Sequence, residues 1–334
     1  MHSRCVVFQS RNILWAIGIL LLGSSMLAQS DSAAGSQTPA GSAATTNPNQ
    51  IAILRWYRAN ATATFSVGDG PGQAAFDGSN IWVTNSTANS VTKLRASDGA
   101  SLGEFAAGTS PAGIAFDGAS MWVANQDNSS VTKLRASDGK ILGTFRVGFS
   151  PFAVAFDGSN IWVVNLGSAN VTKLRATDGK VLGTFEVGSS PQGIAFDGAN
   201  IWVSGTAEST LTKLRASDGM VVGKFTAGTA PTGIAFDGTN IWVANQGSSN
   251  VTKLLASSGA VLGNFPVGNL PQTVVFDGAS IWVTNFTSNS VTKLRATDGA
   301  LIGTFPTGKF PEGAAFDGAN VWVVNAGNNT VSKR

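Results

Sequence analysis

The sequence predicts an all-β fold, a seven-bladed β-propeller whose blades are sheets of four antiparallel strands. The tripeptide Phe-Asp-Gly occurs seven times at equal steps of 40 residues, with no insertion or deletion between copies. A fixed period of this length is typical of propellers, solenoids and repeat arrays. Each unit holds four short runs rich in β-branched and aromatic residues, separated by turn dipeptides, and none has the periodicity of an amphipathic helix.

The first 50 residues precede the repeats and have a different composition. Arg4 and Arg11 precede an apolar run at residues 13–23, and Ala28-Gln29-Ser30 follows the run. This order predicts a secretory signal peptide over residues 1–29. An uncleaved membrane anchor is the alternative, although the apolar run is short for a bilayer. Residues 30–50 lack large apolar side chains and are predicted to form a flexible linker.

Charge and rare residues limit the functions that the mature chain can have. Without Arg4 and Arg11, 20 basic residues balance 19 acidic ones, which argues against a nucleic acid or an anionic membrane surface as partner. The only Cys and the only His are Cys5 and His2, within the predicted signal. The mature chain is therefore predicted to have no disulfide, no thiol nucleophile and no imidazole.

The unit at residues 191–228 illustrates the four strands. Its first strand follows Pro191 and ends at Asp197-Gly198, a tight-turn signal. The second reads NIWVSG, the third reads LTKLRAS and ends before Asp218-Gly219, and the fourth reads MVVGKFTAG. The Trp of the second strand and the Phe of Phe-Asp-Gly are predicted to fill the wedges between adjacent blades.

The two ends of the repeat region predict how the ring closes. The last unit stops after its third strand, whereas residues 51–68 align without gaps to residues 171–188. The N-terminal segment is therefore predicted to supply the missing outer strand, TATFSVG, beside the C-terminal strands. One third-strand segment is then in excess, and the sequence leaves open whether residues 51–57 or residues 331–334 occupy that position. The propeller is predicted over residues 51–334.

The segments IWVTN and IWVAN, with SVTKLRASDGKILGTFRVG and SPAGIAFDG, resemble the YVTN-type propeller repeats, which are related to NHL-type repeats. The resemblance covers residues 51–334 and implies a bacterial surface or secreted propeller. It also suggests kinship with propeller lyases of the virginiamycin B kind and with gluconolactonase-like hydrolases. The former depend on a catalytic His that the mature chain lacks, and the latter hold a divalent metal in an asymmetric cluster that is not evident here.

The two faces of the ring differ in uniformity. Turns after first and third strands repeat Asp-Gly, and the Asp residues are predicted to be a solvated ring balanced by the Lys and Arg of TKLR, without a metal site. Loops after second and fourth strands differ from blade to blade, and we call their side the variable face. The predicted partner-binding residues there are Phe149, Phe152, Leu166, Gln192, Leu270, Gln272, Phe286, Lys309, Phe310, Glu312, Asp127 and Glu208.

These observations favour a binding or scaffold module, secreted, periplasmic or on the cell surface, that contacts a protein or an extracellular polymer such as a glycan. The prediction includes a monomer with no catalytic residue, no metal, no cofactor, no nucleic-acid partner and no stable membrane insertion after signal cleavage. Near-identical blades suggest that the chain is not an enzyme, because an active site needs one asymmetric constellation. A lyase or lactonase is the first alternative, and a nucleic-acid-binding propeller is the second.

Overall fold

Strands form where the apolar runs predict them. The computed structural model describes residues 63–334, which form seven four-stranded antiparallel sheets and one short 3₁₀ turn, Ala326–Asn328. The first strands of the sheets all begin at proline: β2 (Pro71–Phe76), β6 (Pro111–Phe116), β10 (Pro151–Phe156), β14 (Pro191–Phe196), β18 (Pro231–Phe236), β22 (Pro271–Phe276) and β26 (Pro311–Phe316). Each contacts the first strand of the next sheet, so together they enclose a central channel.

The other strands follow outwards in sequence order. The second strands are β3 (Asn80–Asn85), β7 (Ser120–Asn125), β11 (Asn160–Asn165), β15 (Asn200–Gly205), β19 (Asn240–Asn245), β23 (Ser280–Asn285) and β27 (Val321–Asn325). The third strands are β4 (Ser90–Arg95), β8 (Ser130–Arg135), β12 (Asn170–Arg175), β16 (Thr210–Arg215), β20 (Asn250–Leu255), β24 (Ser290–Arg295) and β28 (Thr330–Lys333). The outer strands are β1 (Ala63–Ser66), β5 (Ser101–Ala106), β9 (Ile141–Arg146), β13 (Val181–Glu186), β17 (Val221–Thr226), β21 (Val261–Pro266) and β25 (Leu301–Pro306).

Ring closure occurs in the sheet β1-β28-β27-β26, which joins the two ends of the described chain. Strand β1 pairs antiparallel with β28, placing Thr64 opposite Ser332 and Phe65 opposite Val331. The predicted N-terminal outer strand is therefore confirmed, and the third-strand position belongs to Thr330–Lys333. Residues 51–57 lie outside the described residues, as do the predicted signal peptide and linker.

The core consists of wedges between neighbouring blades. In one wedge, the fully buried Trp202 packs with Ile241, Val243 and Leu254 of the next blade. The ring beside it is Phe225 of the outer strand, whose centroid lies 5.1 Å from that of the indole. The prediction placed Trp and the Phe of Phe-Asp-Gly in these wedges, and both do pack there. The outer-strand Phe is the additional member.

Each buried Trp also holds a polar network, which corrects the predicted solvated ring of charges. Asp197 accepts the indole N–H of Trp202 at 2.8 Å and the backbone N–H of Asn200 at 2.6 Å. Burial raises the pKa of Asp197, but the hydrogen bonds, with that from Trp202 the largest, outweigh it, and the pKa is lowered. Buried Lys213 lies 4.9 Å from the indole centroid and donates to the carbonyl of Ala256 in the next blade at 2.7 Å.

Of the basic residues in the repeated TKLR segment, the Arg is on the surface and the Lys is not. Arg215 and Asp218 form an exposed ion pair at 3.0 Å, and the corresponding Arg–Asp pairs of four other blades do the same. Lys and Arg of the same tetrapeptide lie on one face of the sheet, because they are two residues apart, but they have different roles. The Arg is the last residue of its strand and is exposed, whereas the Lys is within the strand and is buried. The Lys connects blades, and the Arg is solvated.

Candidate ligand site at the mouth of the central channel

The central channel is narrow and is lined by all seven blades. Its cavity has a volume of about 140 Å³. The lining residues are among the first three after each proline: Gln73, Gly113, Ile114, Phe152, Ala153, Val154, Gln192, Gly193, Ile194, Thr232, Gly233, Ile234, Gln272, Thr273, Val274 and Glu312. Glycine at position 193 lets neighbouring strands approach, because a Cβ there would lie 1.9 Å from the carbonyl oxygen of Thr232. The channel can hold only a few water molecules or a small part of a ligand.

The residue directly after the proline breaks the symmetry of the ring. Around the channel this position is Gly72, Ala112, Phe152, Gln192, Thr232, Gln272 and Glu312. The two smallest side chains are adjacent, with Glu312 on one side of them and Phe152 on the other. A second cavity of about 190 Å³ opens at this point, and we call it the mouth hollow.

The mouth hollow lies on the variable face. Its lining includes Ser86, Gln126 and Ala326, which begin loops after second strands. It shares Gln73, Phe152 and Glu312 with the channel, and Gly70, Pro71, Gly72, Pro111 and Ala112 complete it. A ligand on the variable face can therefore reach the channel through this hollow.

Glu312 has the one ionisable side chain among the residues that line the channel and the mouth hollow. Its backbone carbonyl accepts a hydrogen bond from the Thr284 hydroxyl at 2.9 Å, which fixes the strand. Within residues 63–334 its carboxylate has neither a hydrogen bond nor an ion pair, and burial raises its pKa. A Cβ at Gly72 would lie 3.9 Å from Glu312 Oε1, so the carboxylate borders the hollow.

Amide side chains supply most of the remaining polarity. Gln73 Nε2 donates to Thr273 Oγ1 at 3.5 Å. This bond joins strands β2 and β22, which are separated in the ring by β26. The backbone N–H of Gln73 donates to Thr84 Oγ1 at 2.9 Å, which holds its strand in place. Gln192 and Gln272 face the same channel. Gln73 was missed by the sequence analysis, because the repeat comparison considered the residue after each proline and not the next one.

The structure divides the predicted partner-binding residues into separate groups. Phe152, Gln192, Gln272 and Glu312 meet in the channel although 160 residues separate the first from the last. Asp127 accepts a hydrogen bond from the Ser110 hydroxyl at the rim. The remaining members, Phe149, Leu166, Glu208, Leu270, Phe286, Lys309 and Phe310, lie in the outer loops of the variable face and do not line the channel.

Glu208 is engaged by its own blade. Its carboxylate accepts the backbone N–H of Ser189 at 2.9 Å and the ammonium group of Lys224 at 3.3 Å. The hydrogen bond from Ser189, followed by that from Lys224, lowers its pKa. Glu208 and Glu312 therefore differ, since the carboxylate of Glu208 is exposed and hydrogen-bonded whereas that of Glu312 is partly buried and unpaired.

The apolar loop residues form one clear contact. Phe286 and Phe310 stack with ring centroids 5.0 Å apart. Phe310 is 43% exposed and Leu270 is 36% exposed, and both have a left-handed backbone, with φ of 55° and 51°. Bulky residues rarely adopt this conformation, and the equivalent positions elsewhere in the ring are Gly, Ser or Ala. Phe149, 71% exposed, is on a loop of blade three, across the ring.

Another exposed apolar set lies at the perimeter and was missed by the sequence analysis. The outer strands begin with apolar pairs such as Ile141-Leu142 and Val181-Leu182, which are exposed. Alternation predicts one inward side chain in each pair, but the pairing of third and outer strands shifts by one residue here, so that Leu142 and Leu182 have no partner in the third strand. Both side chains of a pair are therefore left in solvent.

No three His, Cys, Asp or Glu side chains among residues 63–334 are placed to share a metal ion. No helix in the same range is long and apolar enough to cross a membrane.

The geometry defines a class of protein, a seven-bladed propeller with one asymmetric hollow at the mouth of its channel. No protein-family model matches the chain, and no curated protein matches it. Among solved structures it is similar to hydrazine synthase from Kuenenia stuttgartiensis, with a TM-score of 0.71 and 19% identity over 79% of this chain and 95% of that one.

Two lyase structures are similar to the same degree. Virginiamycin B lyase from Staphylococcus aureus has a TM-score of 0.70 and 18% identity, over 82% of this chain and 98% of the lyase. A streptogramin B lyase has the same TM-score and identity, over 82% of this chain and 96% of that one. At these identities the similarity establishes the shared fold, and the predicted propeller is confirmed.

The comparisons correct the prediction that the chain is not an enzyme. That prediction assumed that a ring of near-identical blades is too symmetric for an active site, yet structures named as lyases and as a synthase share this ring. The mouth hollow shows where the reasoning was wrong. A single side chain per blade, at the position after the proline, is enough to make the channel asymmetric.

Proposed function

We propose that this protein is a propeller enzyme of the lyase kind, which binds a small molecule at the mouth hollow and uses Glu312 to transfer a proton. The observation that carries the proposal is the unpaired carboxylate of Glu312 at the one asymmetric opening of the channel. An unpaired, partly desolvated carboxylate destabilises the folded protein, and such groups are concentrated at functional sites. The names of two similar structures support the reaction class.

Proton transfer suits the environment of Glu312. Burial raises the pKa of Glu312 and so brings it closer to neutral pH. A general base is most effective when its pKa lies near the pH at which the enzyme works. In an elimination, the carboxylate takes a proton from carbon, the C–H electron pair becomes the new double bond, and the leaving group departs with the electrons of its own bond. Gln73 and Gln126 border the same hollow and can donate N–H groups to an oxygen of the substrate.

Glu312→Gln is expected to lower the turnover of a lyase or lactone substrate at least about hundredfold, because the amide cannot accept the proton. Wild-type activity should rise with pH through an apparent pKa above the ordinary glutamate value, since the ionised carboxylate is the base. The measurement is a screen of the purified chain against cyclic esters and lactones, followed by a pH–rate profile.

The matched control is Glu208→Gln, because that carboxylate is exposed and already bonded to Ser189 and Lys224. The control should keep wild-type activity. Full activity in Glu312→Gln, or a wild-type chain that turns over no member of the panel, contradicts the proposal.

A binding role through the outer loops is a second candidate, favoured by the Phe286–Phe310 stack, in which the Phe310 ring is 43% exposed. In this proposal the chain is a secreted or cell-surface bacterial propeller of the YVTN kind, which contacts a protein or a glycan through the variable face. Exposed aromatic rings held at a fixed angle lose little conformational entropy on contact, and they are frequent at interfaces. The strained backbone at Leu270 and Phe310 is consistent with side chains retained for contact.

Combined Leu270→Ser and Phe310→Asn substitutions are expected to abolish the capture of a partner from envelope and culture-medium extracts by the immobilised protein. Asn accepts the left-handed backbone at position 310, so the fold should be kept. The control is Leu182→Ser, which removes an exposed apolar side chain at the perimeter. Equal capture by all three proteins would locate the interaction elsewhere.

A further inference from the structure

Among residues 63–334, the lining of the mouth hollow combines one anion with one aromatic ring and contains no cation. Glu312 borders it on one side and Phe152 on the other, with Gly72 and Ala112 leaving the space between them. The other lining side chains are neutral: Ser86, Gln73, Gln126, Ala326 and the two prolines Pro71 and Pro111. The electrostatic potential of the hollow is therefore set by the Glu312 carboxylate.

No basic group within the surrounding strands is available to neutralise this carboxylate. Strands β2, β22, β23 and β27 and the 3₁₀ turn Ala326–Asn328 pack against the strand that carries Glu312, and none of them contains an ionisable residue. Asp69, Asp127 and Lys309 are close in sequence to residues of the hollow, but none of the three lines it. Asp69 accepts a hydrogen bond from Asn329, and Asp127 accepts one from Ser110.

The chemistry of this lining selects for positive charge. A partly buried carboxylate without a partner gains more from a ligand cation than an exposed one does, because its solvation is already reduced. An aromatic ring attracts a cation placed over its face, and the attraction grows when water is excluded. Hydroxyl and amide oxygens of Ser86, Gln73 and Gln126 can accept hydrogen bonds from an ammonium group.

We propose that the mouth hollow binds an organic cation, an ammonium or quaternary ammonium group, with Glu312 as counter-ion and Phe152 as the ring beside it. The volume of about 190 Å³ suits a small cationic head group, with the rest of the molecule outside on the variable face. The inference rests on the proposed function in sharing its site, and it names the substrate class.

The test is calorimetric titration of the purified full chain with choline and with its neutral carbon isostere, in which a tert-butyl group replaces the trimethylammonium group. Choline is expected to bind about tenfold or more tightly than the isostere. Glu312→Gln should weaken choline binding by at least about tenfold, and Phe152→Leu by severalfold. Ala112→Leu, which fills the hollow and leaves both residues unchanged, should also weaken binding.

The pH dependence gives a second readout that a structural role of Glu312 does not produce. Choline binding stabilises the ionised carboxylate, so affinity should fall as the pH is lowered through the raised pKa of Glu312. In that range binding should release protons, which appears as a heat that depends on the ionisation enthalpy of the buffer. Both effects should vanish in Glu312→Gln.

Each outcome separates this inference from the proposed enzyme. Equal affinity for choline and its isostere, undiminished binding in Glu312→Gln, or no binding at millimolar choline overturns the cation site. If Glu312→Gln loses turnover of an uncharged lactone in the same preparation, the proposed function stands without the cation site. If choline binds as expected and no substrate is turned over, the cation site stands and the enzyme does not.

Discussion

Trp202→Ala is expected to lower the free energy of unfolding by about 3–5 kcal/mol. The indole is fully buried between two blades, so its removal leaves a cavity among Ile241, Val243 and Leu254. The substitution also removes the N–H that Asp197 accepts and the ring beside which Lys213 lies. Half-buried Asp197 and buried Lys213 then lose a partner each. Chemical denaturation followed by circular dichroism measures the effect.

Arg215→Ala is the matched control, because this residue is two positions from Lys213 in the same strand. Its guanidinium forms an exposed ion pair with Asp218, and exposed pairs of this kind contribute little to stability. Lys213→Ala should be clearly destabilising, since it removes the hydrogen bond to Ala256 in the next blade. Similar losses for Lys213→Ala and Arg215→Ala would contradict the role of the Lys as the connection between blades.

Removal of strand β1 is expected to destabilise the whole ring and to cause association. A chain that starts at Gly68 lacks the outer strand of the closing blade, which leaves the edge of β28 unpaired. It also lacks Phe65, whose ring centroid is 5.4 Å from that of Trp322. Phe65 covers Gly99 of the first blade, where a Cβ would lie 2.0 Å from the ring. Thermal unfolding and size-exclusion chromatography measure the two effects.

The single substitution Phe65→Ala tests the same closure without truncation. Phe65→Ala should lower the free energy of unfolding by about 2–3 kcal/mol, because the phenyl ring is partly buried. Phe185→Ala is the matched control at the equivalent position of an internal blade, where the centroid lies 5.6 Å from that of Trp162. The two losses should agree closely. A negligible loss for Phe65→Ala beside a normal loss for Phe185→Ala would mean that the N-terminal strand does not close the ring in solution.

Much of the fold could be predicted because each strand is specified locally. Pro191 starts a first strand, Asp197-Gly198 ends it, and the residues between have β-propensity. Closure was also predictable, because the last repeat lacks a fourth strand and the segment before Gly68 has the sequence of one. Strand β28, and not an earlier segment, was assigned to the third position only by its pairing with both β1 and β27.

The site was predicted in part. Glu312, Phe152, Gln192 and Gln272 were recognised as departures from the repeat, and the channel contains all of them. The same reasoning grouped them with Phe149 and Glu208, which lie in outer loops. Departure from a repeat identifies the residues that vary but does not indicate how deep each one lies. Depth depends on strand register and on the closure of the ring.

The number of blades, the strands of each blade and the segment that closes the ring can all be derived from the amino-acid sequence. These features follow from a 40-residue period and from turn chemistry that acts within a few residues. Three contacts are evident only in the folded ring: Lys213 connects blades, Asp197 accepts the indole N–H of Trp202, and Glu312 borders the mouth hollow. The physical reason is that these contacts join side chains of different strands or blades, whose distances exist only after the seven sheets pack into a closed ring.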